Sequence, residues 1–121
     1  MHLPGTIAAL KEGDEFIFGE IFNEFHQKVY YYILLKTKSA YLAEEVTQIT
    51  FIKLWNNHAR LEESIPLSSQ VFQIAKTTCI DLLRKKANQL ALIATAKEGR
   101  PSANEVSESL ERREWVYPRQ P

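Results

Sequence analysis

From Phe18 onward the apolar residues recur at Ile21, Phe22, Phe25, Val29, Ile33 and Leu34. That is the three-and-four spacing of one helical face, while Glu20, Glu24, Gln27 and Lys28 fall elsewhere. The spacing predicts a first long helix starting after Gly13 and Asp14, a break followed by a capping carboxylate. The residues before it, with Pro4 and Gly5, are expected to form a short helical turn or a lead. Tyr30, Tyr31 and Tyr32 point about 100° apart on such a helix, so they cannot all be core.

Ser39 suits the N-cap of a second helix, with Leu42, Val46 and Ile49 as its first apolar stripe and Phe51, Leu54 and Trp55 on a wider face. It is expected to end near Asn57 or His58. Residues 60–69 carry Pro66 and three serines, which reads as a loop between two strong helices, long enough to raise the question of a function. A third long helix starts near Ser68 and runs through Val71, Phe72, Ala75, Cys79, Leu82 and Leu83 toward Lys97. Gly99, Arg100 and Pro101 stop it. Beyond lie a weak amphipathic segment over 102–113, using Val106 and Leu110, and a linker-like end from Trp115 to Pro121.

The prolines stand at 4, 66, 101, 118 and 121, so residues 5–65 and 67–100 contain none. A chain of many short strands and turns seldom provides such stretches. The fold class expected is all-α, a bundle of three to four helices. A length of 121 residues suits one domain, drawn as residues 1–98, with 99–121 as linker or the start of a further domain.

Charge narrows the partners. Fifteen basic and fifteen acidic side chains cancel, so nucleic-acid binding has to be local rather than a property of the whole surface. The apolar run from Val29 to Leu35 includes three tyrosines and is far short of the roughly 18 residues that span a bilayer, so no membrane partner is expected. The single cysteine, Cys79, has no internal disulfide partner, and the N-terminus carries no secretion-like pattern; the expectation is a cytoplasmic chain.

Catalytic chemistry finds little support. His2, His26 and His58 have no spacing that sets two imidazoles on one helical face, and the one thiol has no companion, so no metal or cofactor is expected. Glu44 with Glu45, and Glu62 with Glu63, are sequence neighbours that diverge on a helix. An enzyme is not the expected reading.

Three features carry information. Glu45, Gln48 and Ile52 lie at i, i+3 and i+7, a stripe led by an acid and an amide that suits a helical partner bearing arginines, or is merely a solvated face. Gln73, Lys76, Thr77, Ile80 and Arg84 share one side of the third helix, followed by Lys85 and Lys86, with Lys53, His58 and Arg60 nearby in the chain. Cations and hydrogen-bonding groups on one stripe can bind phosphates and reach base edges, or else stay hydrated. Phe51, Trp55 and Phe72 flank the loop, as core aromatics or as a stacking wall for an unpaired base.

Together these residues resemble the second conserved region of the bacterial sigma factors of the extracytoplasmic-function (ECF) group, initiation subunits of RNA polymerase in the sigma-70 family. The matching pieces are Phe22-Asn23-Glu24-Phe25 with Val29-Tyr30, then the run from Ala43 to Trp55, then Val71 to Lys76 and Ile80 to Lys85. They occur in that order over about residues 10 to 90.

The resemblance implies a sigma region 2 bundle whose second helix docks on the clamp helices of the polymerase largest subunit through Glu45, Gln48 and Ile52. It implies that the loop at about 61 to 70 and the next helix capture a base flipped from the single-stranded -10 promoter element. Arg60, Gln73, Lys76, Thr77, Arg84 and Lys85 are the DNA-binding candidates, and an anti-sigma factor is a further expected partner. Thr77 stands where the family often has asparagine, so no base preference carries over. Family members continue into a second helical domain that reads the -35 element; here Val106 to Trp115 is expected to be the linker toward it. The rival expectation is a helical interaction module, or a decoy for the polymerase clamp, with no direct DNA role.

Overall fold

A computed structural model describes residues 5–94 of the chain. Among these residues the regular structure is entirely helical: α1 (Thr6–Lys11), α2 (Glu15–Thr37), α3 (Ala40–Asn56), a 3-10 turn at His58–Arg60, and α4 (Leu67–Ala94). The helices expected from periodicity are present, and the chain before Gly13 forms a helix rather than a lead. The expected continuation toward Lys97, the weak helix over 102–113 and the linker over 99–121 lie outside the described residues.

Local chemistry sets the helix ends. Gly13 takes φ 85°, a left-handed turn open to glycine, and the next residue, Asp14, accepts a hydrogen bond from the Ile17 amide at 3.1 Å. The α2–α3 connection is only two residues long. Lys38 is left-handed at φ 57° and its amide returns to the Leu34 carbonyl at 2.8 Å, while Ser39 accepts from the Leu42 amide at 3.1 Å. A connection this short turns α3 back along α2, and these two helices make the most extensive contact in the bundle.

Each long helix contributes one buried stripe. Ile21, Phe25, Val29, Tyr32 and Ile33 come from α2; Ala43, Val46, Thr50, Phe51 and Leu54 from α3; Val71, Phe72, Ala75 and Cys79 from α4. Phe72 sits at the centre, edge-on to Phe25 at 6.2 Å and to Tyr32 at 5.2 Å between ring centroids. Burying an aromatic side chain of this size contributes about 2–3 kcal/mol, which ties α4 to α2 across the bundle.

The core differs from the periodic reading in two places. The buried face of α3 keeps the expected Val46, Phe51 and Leu54 but is completed by Ala43 and Thr50 in place of Leu42 and Ile49, which are only half-buried. Thr50 tolerates full burial because its hydroxyl donates to the Val46 carbonyl at 2.6 Å. On α2, Phe22 is 39% exposed rather than core. The tyrosine triplet divides as geometry requires: Tyr32 is buried, Tyr30 half-buried and Tyr31 exposed.

Candidate functional site

α3 lies between α2 and α4, and a groove opens along each of its flanks. The first groove, about 450 Å³, is lined by Phe18 and Phe22 of α2 and by Gln48, Phe51, Ile52, Trp55 and Asn56 of α3. Its walls are aromatic pairs: Phe18 against Trp55 at 5.1 Å and Phe22 edge-on to Phe51 at 5.0 Å. None of the lining residues is charged, so the groove offers apolar contact bordered by two side-chain amides. Of the stripe Glu45–Gln48–Ile52, Gln48 is exposed, Ile52 is 59% exposed and Glu45 is half-buried. All three thus reach the surface, and Gln48 and Ile52 form the groove's edge.

The second groove, about 330 Å³, runs between α3 and α4 and is lined by Ile49, Lys53, Thr78, Asp81, Leu82, Arg84, Lys85 and Asn88. Three cations and one carboxylate give it net positive charge. Lys53 donates from Nζ to the hydroxyl of Thr78 at 2.9 Å; Thr78 is only 2% exposed, so a neutral oxygen fixes the ammonium at the groove wall. The only acid, Asp81, lies 3.7 Å from Arg84 on the same helix. Such a channel attracts anions, and the amide of Asn88 adds hydrogen-bonding capacity.

The candidate residues of α4 do not all fall together. Arg84 and Lys85 line the second groove. Nine residues of helix set Lys76 half a turn from Lys85, so Lys76, half-buried, belongs to the opposite flank. Gln73 and Thr77 are exposed near the N-terminal half of α4, and the Thr77 hydroxyl is shared between the Gln73 and Ile74 carbonyls at 3.0 and 3.1 Å. It therefore presents an acceptor, not a donor, to any ligand. Ile80, expected on this open side, is 7% exposed, which interrupts the polar stripe with a buried apolar side chain.

The loop holds its own surprises. Arg60 is exposed on the 3-10 turn, which packs against α1, and it lines neither groove. His58, expected beside the cations, instead turns toward α1: its Nδ1 lies 3.0 Å from the Lys11 carbonyl, its ring sits 4.9 Å from that of Trp55, and Gly13 lies close beside it. Of the three flanking aromatics, Phe51 and Phe72 are core, whereas Trp55 is half-buried on the first groove.

Several residues that shape these surfaces escaped the sequence reading. Spacing places Phe18 and Phe22 on the apolar face of α2 with Ile21, Phe25 and Val29; the signal that they also reach the surface is the number of large aromatics on α2, more than one buried stripe accommodates. Thr78 has no sequence signal as a lysine partner. Gln70, in the first turn of α4, clamps the loop: its Oε1 accepts from the Glu62 amide at 2.9 Å, and its Nε2 donates to the Glu62 and Ile65 carbonyls at 2.8 and 2.9 Å.

The family described as Sigma-70 region 2 matches residues 21–89, from the middle of α2 through α3, the loop and most of α4. The chain belongs to this family. Sigma-70 region 2 is the part of a sigma factor that takes part in promoter recognition and transcription initiation with core RNA polymerase, and it is not an enzyme class. Neither the curated proteins nor the solved structures gave a match. Among the described residues, no helix is long and apolar enough to cross a membrane.

Proposed function

We propose that this chain is region 2 of an ECF-type sigma factor that binds core polymerase and the single strand of the -10 element at the same time. In this reading Glu45, Gln48 and Ile52 meet the clamp helices of the largest polymerase subunit along the first groove. Arg84 and Lys85, with Lys53, take the phosphate backbone in the second groove, while Gln73 and Thr77 reach toward bases; Lys76 and Arg60 are flanking cations. The loop, which the structure confines to residues 61–66 instead of the expected 61–70, receives an unstacked base together with the start of α4. Opening a duplex costs a few kcal/mol per step, which contacts to backbone and base together offset, so binding free energy rather than bond chemistry does the work.

The observation that carries the reading is the opposed chemistry of the two grooves on one helix. Gln48 and Ile52 are uncharged and exposed beside an aromatic wall, and one residue further along, Ile49 and Lys53 face a cationic channel. A cytoplasmic location, an anti-sigma partner that covers one of these surfaces, and a linker over 99–121 leading to a second domain belong to the same proposal.

Core polymerase binding, measured by gel shift with and without a single-stranded -10 oligonucleotide, tests it. The proposal expects a binary complex and a slower ternary complex that requires this chain. Polymerase binding with no uptake of the strand would instead identify a clamp decoy.

A further inference from the structure

Five consecutive loop residues, Glu62 to Pro66, are exposed, between the buried anchors Leu61 and Leu67. No apolar burial shapes the segment between those anchors, so its form is set by hydrogen bonds. One is a turn bond from the Ile65 amide to the Glu62 carbonyl at 3.4 Å. The Lys11–Glu63 ion pair at 3.9 Å between exposed side chains adds little. The remainder come from one side chain, since both ends of the Gln70 amide are spent on Glu62 and Ile65.

We infer that Gln70 is a positioning residue for base capture: its amide holds the loop in the open, receptive form before any strand arrives. The inference rests on the proposal that this loop receives an unstacked base. Fixing the backbone of the four residues 62–65 carries an entropic cost, and a loop ordered in advance removes that cost from binding. The held form leaves Ile65, 43% exposed, and its chain neighbour Pro66, also exposed, as apolar surface available to the face of a base. Without the amide, the Glu62 and Ile65 carbonyls are free to take water, because the segment is exposed. Folding therefore loses little, while the loop gains conformations that do not accept a base.

The test is an abasic scan on the polymerase-bound protein, using a single strand selected from a random pool and carrying one abasic site at successive positions. The wild-type chain is expected to show one position at which base removal weakens binding about tenfold. In Gln70→Met, which keeps the side-chain length but none of the three hydrogen bonds, that position-specific penalty is expected to disappear. Gln70→Asn, one methylene too short to span both carbonyls, is expected to reduce it. Salt dependence stays as in the wild type, because no phosphate contact is removed.

Two further readouts separate positioning from folding. Thermal midpoints of both variants are expected to remain within a few degrees of the wild type, and exchange of the Glu62 amide is expected to accelerate in Gln70→Met. A variant that retains the full abasic penalty overturns the inference while base capture stands. Equal weakening for every strand also overturns it, because that marks a general structural loss. A wild-type chain with no abasic-sensitive position overturns base capture itself, and the inference with it.

Discussion

The two grooves beside α3 are built from the same helix and differ in almost every other respect. The α2 side is aromatic, uncharged and larger; the α4 side is smaller and cationic, with Lys53 held by a buried threonine. A one-residue step along α3, from Gln48 and Ile52 to Ile49 and Lys53, turns the side chain by about 100° and passes from one chemistry to the other. Two surfaces of unlike chemistry thus share one helix, and no residue lines both.

That separation is open to attack, first where the effect should be largest. Reversing both charges in Arg84→Glu/Lys85→Glu should weaken single-strand binding by roughly ten- to a hundredfold near physiological salt. It should also flatten the log–log salt slope by about 1.4, at about 0.7 per lost phosphate contact. Polymerase affinity of the same variant should be unchanged; a parallel loss of both would mean that the grooves are not independent.

Gln48→Ala should cost about 1–2 kcal/mol in polymerase association, the range for an interface amide, with DNA affinity and helical content unaltered. Titration of core polymerase with a labelled chain reads this directly.

A third expectation concerns the core beneath both grooves. Burial pushes the Cys79 thiol up from 9.0 to about 11. Between those values the unfolded chain has released a proton that the folded chain keeps. Stability from this group is therefore intact below about pH 9 and is lost as pH rises toward 11. Urea midpoints from pH 8 to 11 should fall more steeply for the wild type than for Cys79→Ala, and both associations should weaken together.

The smallest effect is expected at Lys38, remote in character from both surfaces. Lys38→Gly relieves a left-handed backbone and should raise stability by about 0.5–1 kcal/mol in denaturant titration, leaving both affinities alone.

Much of the fold was legible because helix signals here are local. Asp14 and Ser39 cap where their side chains suggest, and Pro66 precedes α4 directly. The orientation of α3 was less legible. Ala43 and Thr50 are small or polar, so an apolar count turned the stripe toward Leu42 and Ile49, and only the hydroxyl-to-carbonyl bond of Thr50 explains its burial.

The candidate surface divides in the same way. Gln48 and Ile52 are exposed as their stripe suggests, and Arg84 and Lys85 share a groove, because each pair sits on one helix. Lys76 departs because residues grouped by charge need not share a flank. His58 departs because its partner, the Lys11 carbonyl, is 47 residues away in sequence. The Gln70 clamp was invisible for a related reason: it depends on a loop path that no local pattern encodes.

Oxidative side-chain footprinting of the chain, first with core polymerase and then with a single-stranded -10 oligonucleotide added, addresses the division of labour most directly. Polymerase alone should shield Phe22, Ile52 and Trp55, and the strand should then add protection at Leu82 and Ile65 without altering the first set. Protection of Leu82 by polymerase alone, or unshielded Ile52 in the complex, would contradict the assignment of one groove to each partner.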